Sequence, residues 1–188
     1  MVKRFITLEK KTIMKKITLV LTLLTSTIFS QKYIDTLYNF KVIDGNIIWQ
    51  KVIESEEKNL QETFRKKVIT NIKFEDFQEV DNIISFNVVD DIINFKKYGG
   101  KLMFTSFHVQ EPKNYHVVID FKENKYRITI KQITVNFENT GLGKSKIEDF
   151  VTKKNKIKNS KTTRKDLNYY QKHFLEKFSL AEKTDNDW

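Results

Sequence analysis

The 188-residue chain has no cysteine, one proline, five glycines and only four arginines among its 34 basic residues. Without cysteine there is no disulfide framework, no thiolate-bound zinc, no iron–sulfur cluster and no thiol nucleophile. Scarce proline and glycine, with 39% hydrophobic and 31% charged residues, exclude a collagen-like chain and a polytopic membrane protein. Scarce arginine argues against nucleic acid as a partner, because bidentate and stacking contacts need a guanidinium that lysine does not replace. Long hydrophobic runs are missing too. The apolar stretch at residues 17–29 (ITLVLTLLTSTIF) has 13 residues and would reach about 20 Å as a helix, short of the roughly 30 Å hydrocarbon core.

What is there is charge, unevenly placed. The formal charge is +10. Residues 1–30 hold six basic groups and one acid, residues 31–143 hold 16 of each, and residues 144–177 hold 11 basic groups against four acids. The middle is therefore neutral, and the excess belongs to a leader and a tail.

Met14-Lys15-Lys16, the uncharged stretch at 17–29 and Ser30 before Gln31 have the layout of a secretory signal peptide. Cleavage is expected between Ser30 and Gln31, with Ile28 larger than usual at the −3 position and Met14 an alternative translation start. No cysteine follows the apolar stretch, so a bacterial lipoprotein anchor is excluded. The expected mature chain is periplasmic or secreted and carries no transmembrane segment.

Residues 31–143 read as an antiparallel sheet with a helix. Asp44-Gly45 is a two-residue hairpin turn, and counting back from it pairs Val42 with Ile47 and Phe40 with Trp49. Ser55 is the expected N-cap of a helix whose stripe is Leu60, Phe64 and Val68. Strands are expected at 72–77, 83–89 and 102–109. A second hairpin turns at Glu123-Asn124 and sets Ile119 opposite Ile128, Phe121 opposite Tyr126, and Asp120 opposite Arg127. Beyond Ile130 the apolar parity changes to Ile133, Val135 and Phe137, which requires a bulge near Lys131-Gln132.

The segments GNIIWQKV at 45–52 and YHVVIDFKENKYRI at 115–128, with a helix between them, resemble an exported bacterial domain of unknown function with a TATA-binding-protein-like fold. The resemblance covers roughly residues 37–137. It implies an α+β fold, a curved antiparallel sheet with helices on one face, and it implies no activity, cofactor or DNA partner.

Candidate chemical motifs are sparse. Gly141-Leu142-Gly143-Lys144-Ser145 lacks the first glycine of a phosphate loop, since Glu138 stands there. Asp90-Asp91 would point to opposite faces of a strand and is read as a turn. His108, His116 and His173 are read as surface or edge residues, with no third metal ligand beside the first two. No serine lies in a nucleophile-elbow context, and no metal or cofactor set emerges.

The tail divides at residue 166. Residues 144–165, rich in lysine, are expected to be a loop or partly disordered linker. Leu167, Tyr170, Phe174 and Phe178 predict an amphipathic helix starting near Asp166, docked beside the first. The candidate anion-binding groups are Lys153, Lys154, Lys156, Lys158, Lys161, Arg164 and Lys165. The expectation is an exported, non-enzymatic binding or structural module of the bacterial cell envelope. One alternative is an anion-binding protein using 144–165 on an acidic glycan, a lipid headgroup or a protein. Another is a hydrolase of unrecognised type.

Overall fold

A computed structural model describes residues 32–137, 141 and 143–180. The expected leader and its cleavage point lie outside the described residues, as do Glu138 and Leu142 of the glycine motif. The described residues from Tyr33 onward belong to one compact unit with its own hydrophobic core.

In chain order the elements are β1 (Tyr33–Ile34), β2 (Thr36–Leu37), β3 (Phe40–Ile43), β4 (Asn46–Glu54), α1 (Leu60–Asn71), β5 (Phe74–Val80), β6 (Ile83–Asp91) and a 3₁₀ turn (Leu102–Phe104). Then come α2 (Phe107–Gln110), β7 (Lys113–Lys122), β8 (Lys125–Asn136), β9 (Lys144–Lys146), α3 (Ile147–Val151), β10 (Thr152–Lys153), β11 (Lys156–Lys158) and α4 (Lys161–Phe178). An open antiparallel sheet runs β2-β3-β4-β8-β7-β6-β5, with β9 paired to β8 beyond its bend, and a small sheet runs β1-β11-β10.

Both hairpins form as counted. Asp44 and Gly45 take φ of 49° and 79°, as a type I′ turn needs, and Phe40 faces Trp49. Ile119 faces Ile128, Phe121 faces Tyr126, and Arg127 donates to Asp120 at 2.6 Å. The parity change falls where expected: Gln132 is left-handed at φ 56°, and the β7–β8 register shifts beside it.

The pairing places Trp49, Ile130, Val117 and Phe86 side by side on one face of four adjacent strands. Against that face lie α1, whose Phe64 meets Phe121 and Tyr126 at 5.8 and 5.7 Å, and α4, whose Phe174 meets Trp49 at 5.4 Å and Tyr115 at 5.2 Å. Leu60, Phe64 and Val68 are buried as expected. The architecture is thus α+β, with the two long helices covering one side of an open sheet. Among the described residues no helix is long and apolar enough to cross a membrane.

Four expectations are corrected. Helix α1 starts at Leu60, not after Ser55, because β4 runs on to Glu54 and the Ser55 N–H is taken by the Asn124 carbonyl at 3.0 Å. Residues 102–109 form the 3₁₀ turn and α2 instead of a strand. The Lys101 carbonyl accepts the Thr105 hydroxyl at 2.9 Å and the Thr105 carbonyl accepts Gln110 Nε2 at 2.7 Å, bonds that curl the segment on itself.

Residues 144–165 are not a linker. Their few apolar groups suffice to fold them: Ile147, Val151 and Ile157 are buried, and β9 adds to β8. Glu148 accepts the Ile47 N–H at 2.7 Å, which ties α3 to β4. Lys154 and Asn155, both with positive φ, turn the β10–β11 hairpin. Helix α4 starts at Lys161, five residues before Asp166, because Ser160 Oγ accepts the Thr163 N–H at 3.0 Å. Residues 144–178 therefore belong to the sheet unit.

Candidate functional site

The buried polar groups of the molecule gather under α4. Along this helix Asp166, Tyr170, His173 and Lys177 recur at spacings of three and four residues, so they share a face with the apolar stripe. Two clusters result.

The first centres on Asp91. A register shift in β6–β7 and a left-handed Asp90 (φ 52°) split the two neighbouring carboxylates. Asp90 stays exposed and pairs with Lys73, whereas Asp91 turns inward to 8% exposure. Its Oδ2 accepts from Tyr115 at 2.6 Å and from His173 Nε2 at 2.7 Å, and its Oδ1 accepts from Lys177. An ionised carboxylate only accepts, so Nε2 carries a proton. Burial alone would raise the Asp91 carboxyl, but His173 and Lys177 outweigh it and hold the group well below the ordinary carboxylate range. Burial, with Asp91 beside it, pushes the Tyr115 phenol well above its usual value.

Lys113 lies nearby on the core-facing side of β7, fully buried. Its Nζ donates to the carbonyls of Val109 (2.9 Å) and Glu111 and sits 5.6 Å from the Tyr170 ring. Burial pulls its amine down from 10.5 to about 7, against the opposing pull of Asp91 and Glu111.

The second cluster centres on Asp166, itself 2% exposed. Ser106 Oγ donates to its Oδ2 at 2.5 Å, and His108 Nε2 lies 3.3 Å from the same oxygen. Tyr170 donates to the His108 carbonyl at 3.1 Å, and Phe150 stacks on the imidazole at 4.9 Å. Ser106, His108, Phe150 and Asp166 edge a surface cleft of about 530 Å³ that also takes in Asp149, Lys158 and Ser160.

Serine, histidine and aspartate together invite comparison with a hydrolytic triad, but the order is different. A triad sets the imidazole between hydroxyl and carboxylate so that it can take the hydroxyl proton. Here the carboxylate is the hub and holds both partners, so the hydroxyl proton is already committed to Asp166. The arrangement braces α4 against the segment at 105–110. Among the described residues there is no group of three or more histidines and acids placed to hold a metal.

The histidine expectation is corrected by this geometry. His108 and His173 are core residues at 5% and 9% exposure, while His116 is half-buried with Nδ1 2.8 Å from Asn87 Oδ1. His108 and His116 join separate networks. Asp91, read as a turn residue, is the hub of the larger cluster.

Of the seven candidate cations, four are engaged by the protein itself. Lys156 pairs with Asp35 at 3.1 Å, Lys158 donates to the Phe150 carbonyl at 2.7 Å, Arg164 to Asn159 Oδ1 at 2.7 Å, and Lys165 to the Phe104 carbonyl. Lys153 and Lys154 stand exposed at the β10–β11 turn, and Lys161 opens α4. The segment brings Lys161, Arg164 and Lys165 within one helical turn.

Sequence reasoning passed over Lys113, Tyr115 and Ser106 as polar partners. One signal was present: Lys113 shares the parity of Tyr115, Val117 and Ile119, so an alternating strand must bury it.

No protein-family model matches the sequence, and no curated protein matches it. Two crystal structures are similar to the fold. One is of a DUF4468 family protein from Bacteroides ovatus, 14% identical, covering 73% of this chain and 82% of that one at a TM-score of 0.43. The other is of a TBP-like protein from Parabacteroides distasonis, 13% identical, covering 71% of this chain and 88% of that one at a TM-score of 0.43. Both are bacterial proteins of the kind that the motifs at 37–137 resemble: one from a domain-of-unknown-function family, the other described as TBP-like.

Proposed function

We propose that the chain is exported and, once its leader is removed, serves as a non-enzymatic binding module of the bacterial cell envelope. The observation that carries this reading is the bonding order at Asp166. In the constellation of described residues closest to a catalytic one, the serine hydroxyl and the imidazole both meet Asp166 Oδ2 and fasten α4, while Asp166 Oδ1 is buried without a hydrogen-bond partner. The leader's charged start, short apolar stretch and Ser30-Gln31 junction support export. The test is cell fractionation with N-terminal sequencing. A chain beginning at Gln31 in the periplasm or medium is expected. A cytoplasmic chain that keeps residues 14–30 would overturn the reading.

A second reading, anion binding through the basic segment, is favoured by Lys153, Lys154 and Lys161. All three are exposed and make no ion pair among the described residues. Binding to an anionic matrix should weaken as salt rises, because counterions compete for the same charges.

A further inference from the structure

The largest departure from ordinary surface composition is at residues 102–107. Met103 is 90% exposed, Phe104 70%, Leu102 58% and Phe107 49%. At roughly 200 Å² per large side chain, these fractions amount to on the order of 500 Å² of apolar surface from six consecutive positions, in the range of the largest patches monomers show, which are often functional.

This is a braced prong rather than a loose loop. The Lys101 carbonyl accepts from Phe104 N–H at 3.0 Å and from the Thr105 hydroxyl, and the Leu102 carbonyl from Gln110 Nε2 at 3.3 Å. Phe104 is met by Lys165, Thr105 by Gln110, and Ser106 by the Val109 N–H at 2.9 Å. Bonds of this kind at the base of the prong lower the cost of taking those backbone groups out of water, and the Met103 peptide groups at its tip keep to the polar headgroup level. The Ser106–Asp166 bond fixes the base of the prong to α4.

The bond from Lys165 to the Phe104 carbonyl sets the first turns of α4 directly beside the prong. Lys161 and Arg164 stand within one turn of Lys165, and exposed Lys101 precedes the apolar residues. We propose that residues 101–107 are a membrane-docking prong: Leu102, Met103 and Phe104 enter the interface of an anionic phospholipid surface while Lys101, Lys161 and Arg164 collar its headgroups and Lys165 braces the prong from α4. Apolar side chains ringed by cations are the complement of such a surface. A second copy of the chain fits less well, since a stable dimer buries about 800 Å² per partner and would set like charges together. The proposal rests on the envelope-binding reading and names its surface.

The test is vesicle sedimentation with the purified chain lacking residues 1–30, the expected leader; the described residues that remain hold a hydrophobic core of their own. Vesicles are pure phosphatidylcholine or phosphatidylcholine with about a third phosphatidylglycerol. Binding to the anionic vesicles is expected, falling about fivefold per collar cation replaced. Met103→Ser with Phe104→Ser should lower it at least tenfold at an unchanged thermal midpoint. Should that pair disturb folding, Met103→Ser alone serves, its side chain being the most exposed. Millimolar inorganic phosphate should not compete, which separates a lipid surface from a free-anion site. Binding equal in wild type and Met103→Ser, no anionic-vesicle binding, competition by phosphate, or a prong-dependent dimer in ultracentrifugation would each overturn the proposal. Export is read by fractionation and vesicle docking by purified chain, so the two readings fail separately.

Discussion

Lys113 offers a clean perturbation because its cost has a sign and a window. The side chain is wholly buried, its amine faces carbonyls rather than a carboxylate, and its pKa drops from 10.5 to about 7. A cation whose pKa is lowered by folding binds fewer protons in the native state than in the unfolded one between those two values. Stability must therefore rise with pH across that window, by up to about 1.4 kcal/mol per pH unit and about 5 kcal/mol in all as an upper bound. Below about pH 7 the native state bears the full cost of a buried ammonium. Neighbouring groups leave the window clear. The Asp91 carboxyl titrates far below it, and Tyr115 and Tyr170, both held well above 10 by burial, act only at higher pH and with the opposite sign. Urea unfolding at pH 7, 8, 9 and 9.5 measures the slope. Lys113→Met keeps the buried stem and removes the charge, so its stability should be nearly flat over the same range. A wild-type stability that is flat or falling from pH 7 to 9.5, or an equal slope in Lys113→Met, would refute the argument.

Asp91→Asn should destabilise the fold by about 3–5 kcal/mol in urea unfolding, since His173 and Lys177 lose the charge that offsets their burial. Because folding lowers the Asp91 pKa, its contribution is present above about pH 4 and lost as pH falls further. Acid unfolding of the wild type should therefore show a stability loss that Asp91→Asn lacks. Trp49→Ala should cost about 3–5 kcal/mol by removing a fully buried ring. Trp49→Phe should cost much less, because Nε1 is buried without a hydrogen-bond partner and no bond is lost.

The central sheet was legible because local chemistry and global packing agree there. Asp-Gly and Glu-Asn turns fix hairpin register, and period-two alternation then assigns every face. The bulge at Gln132 announced itself as a break in that alternation. The tail was harder for a physical reason. Ile147, Val151 and Ile157 are isolated among lysines, and what folds them is burial against the rest of the unit, built by residues a hundred positions earlier. Lysine abundance measures solubility, and three buried side chains outweigh it. The Asp166 cluster unites residues about 60 positions apart, a juxtaposition no local spacing encodes. Residues 102–104, expected within a strand at 102–109, instead curl and show three apolar side chains to solvent.

The most direct test of the account as a binding module is co-sedimentation of the chain lacking residues 1–30 with the isolated envelope of the cells that make it, at low and at high salt. The account predicts pelleting with the envelope at low salt, release as salt rises, and no chemical change in the envelope material after prolonged incubation. A chain that stays in the supernatant at every salt concentration, or one that degrades the envelope it is mixed with, would contradict it.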